Sequence, residues 1–136
     1  MQNPPPVQTT KSSTGLDENI AALLSYIFGW VSGLVFFLIE KDSRLVRFHA
    51  MQSILLNVSF GVLAVVLMIV LFIVGMIFAM MSDALGAIVS ILSFLIWLVF
   101  MAGVLIAVIL CLIKAFQGQY FKLPIIGNFA EKFSAK

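Results

Sequence analysis

The sequence predicts an all-α integral membrane protein with three transmembrane helices, a short first span and a long antiparallel hairpin of spans two and three, plus a C-terminal interfacial helix. Three observations carry this. Hydrophobic residues fill 62% of the 136 positions and charged ones only 10%, whereas soluble chains hold roughly 45–50% apolar and about 25% charged residues. Three apolar runs free of ionised side chains each reach the roughly 20 residues that a crossing needs. The charged residues gather between and after these runs.

The N-terminal stretch "MQNPPPVQTTKSSTG" holds three consecutive prolines and many Ser and Thr. So little apolar surface cannot offset the entropy of ordering, so residues 1–16 are expected to be a disordered tail. Asp17 is placed to cap the first helix. A single membrane domain is expected over 17–133, with 134–136 as a short tail.

Span one is expected over about 20–39. At about 1.5 Å per residue such a helix just crosses a hydrocarbon core of roughly 30 Å. Its upstream flank, with Lys11, Asp17 and Glu18, lacks the basic n-region of a signal peptide. Within the run, "GWVSG" places Gly29 and Gly33 four apart, a spacing suited to close helix packing. A break there is the alternative: it would turn the run into a re-entrant pair and put the N-terminal tail inside.

Spans two and three are expected over about 50–81 and 84–113. Only Ser82 and Asp83 separate them, which predicts a tight turn with one of the two capping the third helix. Both spans exceed the bilayer core, so they tilt or extend into the headgroup zone. Small residues recur at spacing four in span three, Gly86 with Ser90 and Gly103 with Ala107 and Cys111. Such rows let helices pack closely within the chain or between copies.

Beyond span three, Gly118 and Pro124 argue against a further crossing. From Pro124 onward Ile125, Ile126, Phe129, Ala130 and Phe133 share one side of a helical wheel. Segment 118–133 is therefore expected to lie in the interface.

Lys and Arg number one in the N-terminal tail, three between spans one and two, none between spans two and three, and four after span three. The positive-inside bias then places the 40–49 turn and the C-terminus in the cytoplasm and the N-terminus outside. Lys41, Arg44, Arg47, Lys122 and Lys132 are expected to meet anionic lipid headgroups, at about 1 kcal/mol each.

His49, Gln52, Ser53 and Asn57 form a polar stripe where span two begins. The expected role of His49 is structural, hydrogen-bonded toward the end of span three near Lys114 and Gln117. One histidine and a distant Cys111 offer no metal-ligand set. The spans hold no ionisable group of the kind that proton relays and coupled transporters use. No enzyme activity, cofactor, metal or nucleic-acid partner is expected; the chain is expected to act by helix packing with copies of itself or with a membrane partner.

"FHAMQS" (Phe48 to Ser53) and "KAFQGQYFKLPIIG" (Lys114 to Gly127) carry a family resemblance. The chain resembles the Tic-type import component of the chloroplast inner envelope and its small bacterial and archaeal relatives, some magnetosome membrane proteins among them. The resemblance covers roughly residues 17 to 130. Phe48, His49, Ala50, Gln52, Lys114, Gly118, Leu123 and Pro124 match the pattern. For plastid members it implies part of a protein-conducting translocon, usually with four helices, and hence a translocating channel subunit as the alternative function. For the microbial relatives it implies no agreed activity.

Overall fold

A computed structural model describes residues 10–135 of the chain. Among these residues the fold is helical: α1 (Glu18–Ile27), α2 (Trp30–Ile39), α3 (Arg44–Met81), α4 (Asp83–Phe116) and α5 (Ile126–Ser134). No strand forms among them beyond an isolated bridge between Lys11 and Asp17. The chain divides into two compact units. The described residues of Met1–Val58 and Ala107–Lys136 make one, and Ser59–Ile106 the other.

The first apolar run does not form the single helix expected over 20–39. It breaks at Gly29, whose φ of 62° is a backbone conformation that a residue without Cβ reaches most easily. The resulting helices, α1 and α2, have ten residues each and so rise about 15 Å apiece, half a hydrocarbon core. Side chains take up the backbone groups left by the break. The Ser32 hydroxyl donates to the Ser25 carbonyl (3.0 Å) and accepts from the Phe28 N–H (3.1 Å). Ser53 of α3 donates to the Gly29 carbonyl (3.0 Å). Irregular backbone at membrane depth is tolerated only when it is satisfied in this way.

The two ends of the broken run meet. Ser13, before it, donates its hydroxyl to the Glu40 carboxylate, after it, over 2.7 Å. A straight helix over 20–39, about 30 Å long, would hold these residues far apart. The single helix expected over 20–39 is therefore corrected to two ten-residue helices. The expected disorder of 1–16 is also revised where it can be compared. Residues 10–16 hold a turn closed by Ser12 N–H to Leu16 O (2.8 Å) and tied to Glu40, while residues 1–9 lie outside the described residues. Asp17 stands at the N-cap of α1 without a capping side-chain bond.

The long helices follow the expected hairpin closely. α3 has 38 residues and α4 has 34, and both are apolar and long enough to cross a membrane. The Ser82 hydroxyl accepts from the Leu85 N–H (3.1 Å) and caps α4. Within the Ser59–Ile106 unit, Gly86 lets α4 pass α3: a Cβ there would sit 2.9 Å from Ala79 Cα. Phe60, Phe100 and Trp97 meet edge to face, with centroids 6.0 and 5.6 Å apart. α3 begins at Arg44, earlier than expected, because the Ser43 hydroxyl accepts from the Val46 N–H (3.3 Å) and caps it.

Candidate functional site: a buried polar chain

α4 ends in a Schellman-type turn. Gly118, at φ 70°, donates its N–H to Ala115 O, and Gln119 donates to Lys114 O, each at 3.0 Å. That pairing closes α4 and reverses the backbone, which brings Gln119–Leu123 against the start of α3. There it meets His49 and Gln52, three apart and so on one face of α3.

Both side chains are fully buried, as is Tyr26 of α1 to within 5%. His49 Nε2 lies 2.8 Å from the Gln119 carbonyl oxygen, which only accepts. Nε2 therefore carries the proton of the neutral ring, leaving Nδ1 as an acceptor. The Tyr26 hydroxyl, 2.9 Å from Nδ1, donates to it. The Tyr26 oxygen in turn accepts from the Gln52 amide nitrogen (3.1 Å), which also donates to the Phe121 carbonyl (2.9 Å). The result is a directed chain: Gln52 to Tyr26 to His49 to Gln119. Gln52 Oε1 accepts from the Leu123 N–H (3.4 Å), and Cys111 Sγ of α4 lies 3.5 Å from the Gln52 nitrogen. Phe48 closes the side, its ring centroid 5.2 Å from His49 and 5.4 Å from Tyr120.

The two halves of the sequence pattern thus bind each other. His49 and Gln52 hold the backbone of the second half, Gly118 turns it, and Lys114 donates to Gln119 Oε1 (3.1 Å). Ala50 is buried and faces Gly33 of α2, where a Cβ would come within 2.9 Å of the Ala50 carbonyl oxygen. Gly29 likewise abuts the Asn57 amide, which donates to Ser53 O (2.8 Å). Gly29, Gly33 and Gly86 therefore lie at close contacts within the chain. Ser90 bonds the Gly86 carbonyl of its own helix (2.8 Å), Ala107 is half-buried, and Gly103 has open space around it. Pro124 is exposed at the start of the turn into α5.

The charged segment behaves differently from a row of lipid anchors. Glu40 is buried and accepts from the N–H and hydroxyl of Ser13 and the N–H groups of Asp42 and Ser43. Burial would raise its carboxyl, but these donors outweigh that and hold it below the ordinary carboxylate range. Arg47 turns inward. It donates to the carbonyls of Glu40 (2.8 Å) and Phe37 (3.3 Å) at the C-terminal end of α2 and to Ser134 O (3.3 Å), and it covers the Phe37 ring at 4.5 Å. A cation there suits the negative end of the helix. Lys122 pairs with Glu131. Lys41, Arg44 and Lys132 remain exposed. Among the described residues, no three His, Cys, Asp or Glu side chains stand together as a metal site.

Sequence reading missed Tyr26 as the hub and Ser13 and Glu40 as a clasp. The available signal for Tyr26 was a phenol inside an apolar run, which asks for a hydrogen-bond partner.

Two long apolar helices and a buried, hydrogen-bonded polar cluster define a small helical membrane protein. The chain belongs to the magnetosome magnetite crystal formation protein family, whose model matches residues 16–130. A UPF0132 membrane protein of Methanocaldococcus jannaschii is 41% identical over 124 residues, covering 91% of this chain and 94% of that protein. One of Archaeoglobus fulgidus is 36% identical over 117 residues, covering 86% and 95%. A second from Methanocaldococcus jannaschii is 31% identical over 119 residues, covering 88% and 71%. No solved structure matches the chain.

Proposed function

We propose that this chain is a non-enzymatic membrane protein that acts by assembling with copies of itself or with another membrane protein. It crosses the bilayer twice, through α3 and α4, with α1 and α2 as a re-entrant pair. The observation that carries the assembly reading is how the polar atoms are used. The buried donors and acceptors of Tyr26, His49 and Gln52 are bonded within the chain, so the family pattern serves as a structural latch and not as a reaction centre. The Ser59–Ile106 unit instead presents apolar surface, including Phe72, Met80 and Val99, around an apolar cleft of about 610 Å³ lined by Met68, Phe72, Gly75, Ala79, Ser90 and Trp97.

The topology rests on the Ser13–Glu40 contact. With both ends of the first run on one side, every Lys and Arg among the described residues falls on the same face, the cytoplasmic one by the positive-inside bias. Lys41, Arg44 and Lys132 are exposed and would meet anionic headgroups there. Crosslinking in native membranes tests the assembly reading. Discrete oligomers are expected, and recovery of monomers alone would refute it.

The magnetite of the family description comes to this chain as a membrane context, and among the described residues no three His, Cys, Asp or Glu side chains converge. A translocating subunit is the second reading, favoured by the helix break at Gly29 and by the resemblance to plastid import components. It expects conductance or transport in reconstituted vesicles; stable oligomers that conduct nothing would remove it.

A further inference from the structure

Three helices, α1, α2 and α5, have ten residues or fewer and are too short to cross a membrane. α1 and α2 rise about 15 Å each, and Ser13 bonded to Glu40 returns the chain to the level at which it started. The tip of this pair is apolar and uncovered, with Phe28 76% and Trp30 55% exposed, so lipid chains meet it. α5 adds a third shallow element. Its Gly127 and Ala130 face the protein, while Phe129 and Phe133 stack on each other and stay exposed. Ile125, a β-branched residue at φ 67°, sits in a backbone region such residues avoid, and its side chain is 71% exposed. An interfacial apolar face of this kind is sensitive to membrane curvature. α3 and α4 are long enough to displace lipid from both leaflets alike. On the re-entrant reading α1, α2 and α5 would displace it from one, each helix occupying on the order of 100 Å².

We propose that α1, α2 and α5 together form a one-leaflet insertion, so that this protein favours membrane in which the leaflet bearing its charged turn is convex. The partner is a lipid surface of defined curvature. The proposal rests on the re-entrant reading of α1 and α2 given above.

The test uses the full chain carrying Thr10→Cys or Asp83→Cys, since native Cys111 is buried. Each is labelled and reconstituted into phosphatidylcholine–phosphatidylglycerol vesicles spanning roughly tenfold in diameter. An impermeant quencher sorts molecules by orientation, and protein density is read vesicle by vesicle. With the Thr10 label outside, density per membrane area should rise at least about threefold in the smallest vesicles, and inverted molecules should be depleted there. Phe129→Ser with Phe133→Ser should lower that enrichment, and an unchanged slope would take α5 out of the proposal. Density independent of diameter in both orientations would overturn it. The underlying topology fails separately, if the Thr10 and Asp83 labels report the same side of the membrane.

Discussion

The Tyr26 hydroxyl lies 2.9 Å from Nδ1 of His49 while the ring's other nitrogen lies 2.8 Å from the Gln119 carbonyl, so one imidazole joins α1 to the segment that follows α4. Tyr26→Phe removes the donor for Nδ1 and the acceptor for Gln52 at once. An unpaired buried group costs about 1–3 kcal/mol. Denaturant unfolding of the purified protein is expected to show a loss of that size, with helix content unchanged. Full stability would contradict the directed chain.

Glu40 gives a pH dependence of definite sign. Its carboxyl titrates below the ordinary range because Ser43, Ser13 and Asp42 donate to the charged form. The stability it adds is complete above the unfolded value, about 4.3, and is lost as pH falls through the lower folded value. Hydrogen exchange at the Ser13 and Ser43 amides, corrected for intrinsic rate, should stay slow at about pH 5 and accelerate only in stronger acid. Glu40→Gln should abolish that acid-dependent step.

Gly33 and Gly103 separate packing inside the chain from packing between chains. Gly33→Leu would push side-chain atoms into the Ala50 carbonyl and Ser53, at a cost of about 1–3 kcal/mol as overpacking, seen as a lower unfolding midpoint. Gly103→Leu has room and should leave the monomer's stability within about 0.5 kcal/mol. If copies meet along that row, it lowers the crosslinked fraction; loss of monomer stability instead would contradict the open surroundings.

Truncation after Lys122 removes α5 but leaves the Gln119 and Phe121 carbonyls in their bonds to His49 and Gln52. The helices should remain folded by circular dichroism while Arg47, which donates to Ser134, becomes easier to modify. Pro124→Ala should produce a milder form of the same change, read as faster proteolysis of 124–135. Unchanged protection of that tail would contradict it.

The hairpin was legible because its signals are local. Ser82 and Asp83 interrupt two long apolar stretches, and α3 and α4 end and begin on either side of Ser82. The break at Gly29 was legible only as an alternative, since hydropathy is blind to φ and the serines that satisfy it, Ser32 and Ser53, look like ordinary small residues. His49 was rightly turned toward the end of span three, but its acceptor is the backbone of Gln119 and its other partner is Tyr26. Carbonyl acceptors leave no mark in a sequence. Arg47 misled for a related reason: the carbonyls of Phe37 and Glu40 that draw it inward exist as acceptors only once α2 has ended there.

His49 and Gln52 take their acceptors from Gln119 and Phe121, 70 and 69 residues downstream. While the ribosome is still making α4, those acceptors have not been synthesised, so α1 and α3 emerge with the latch unclosed. Closing the latch consequently waits for a stretch of five residues made well after the helices it seals.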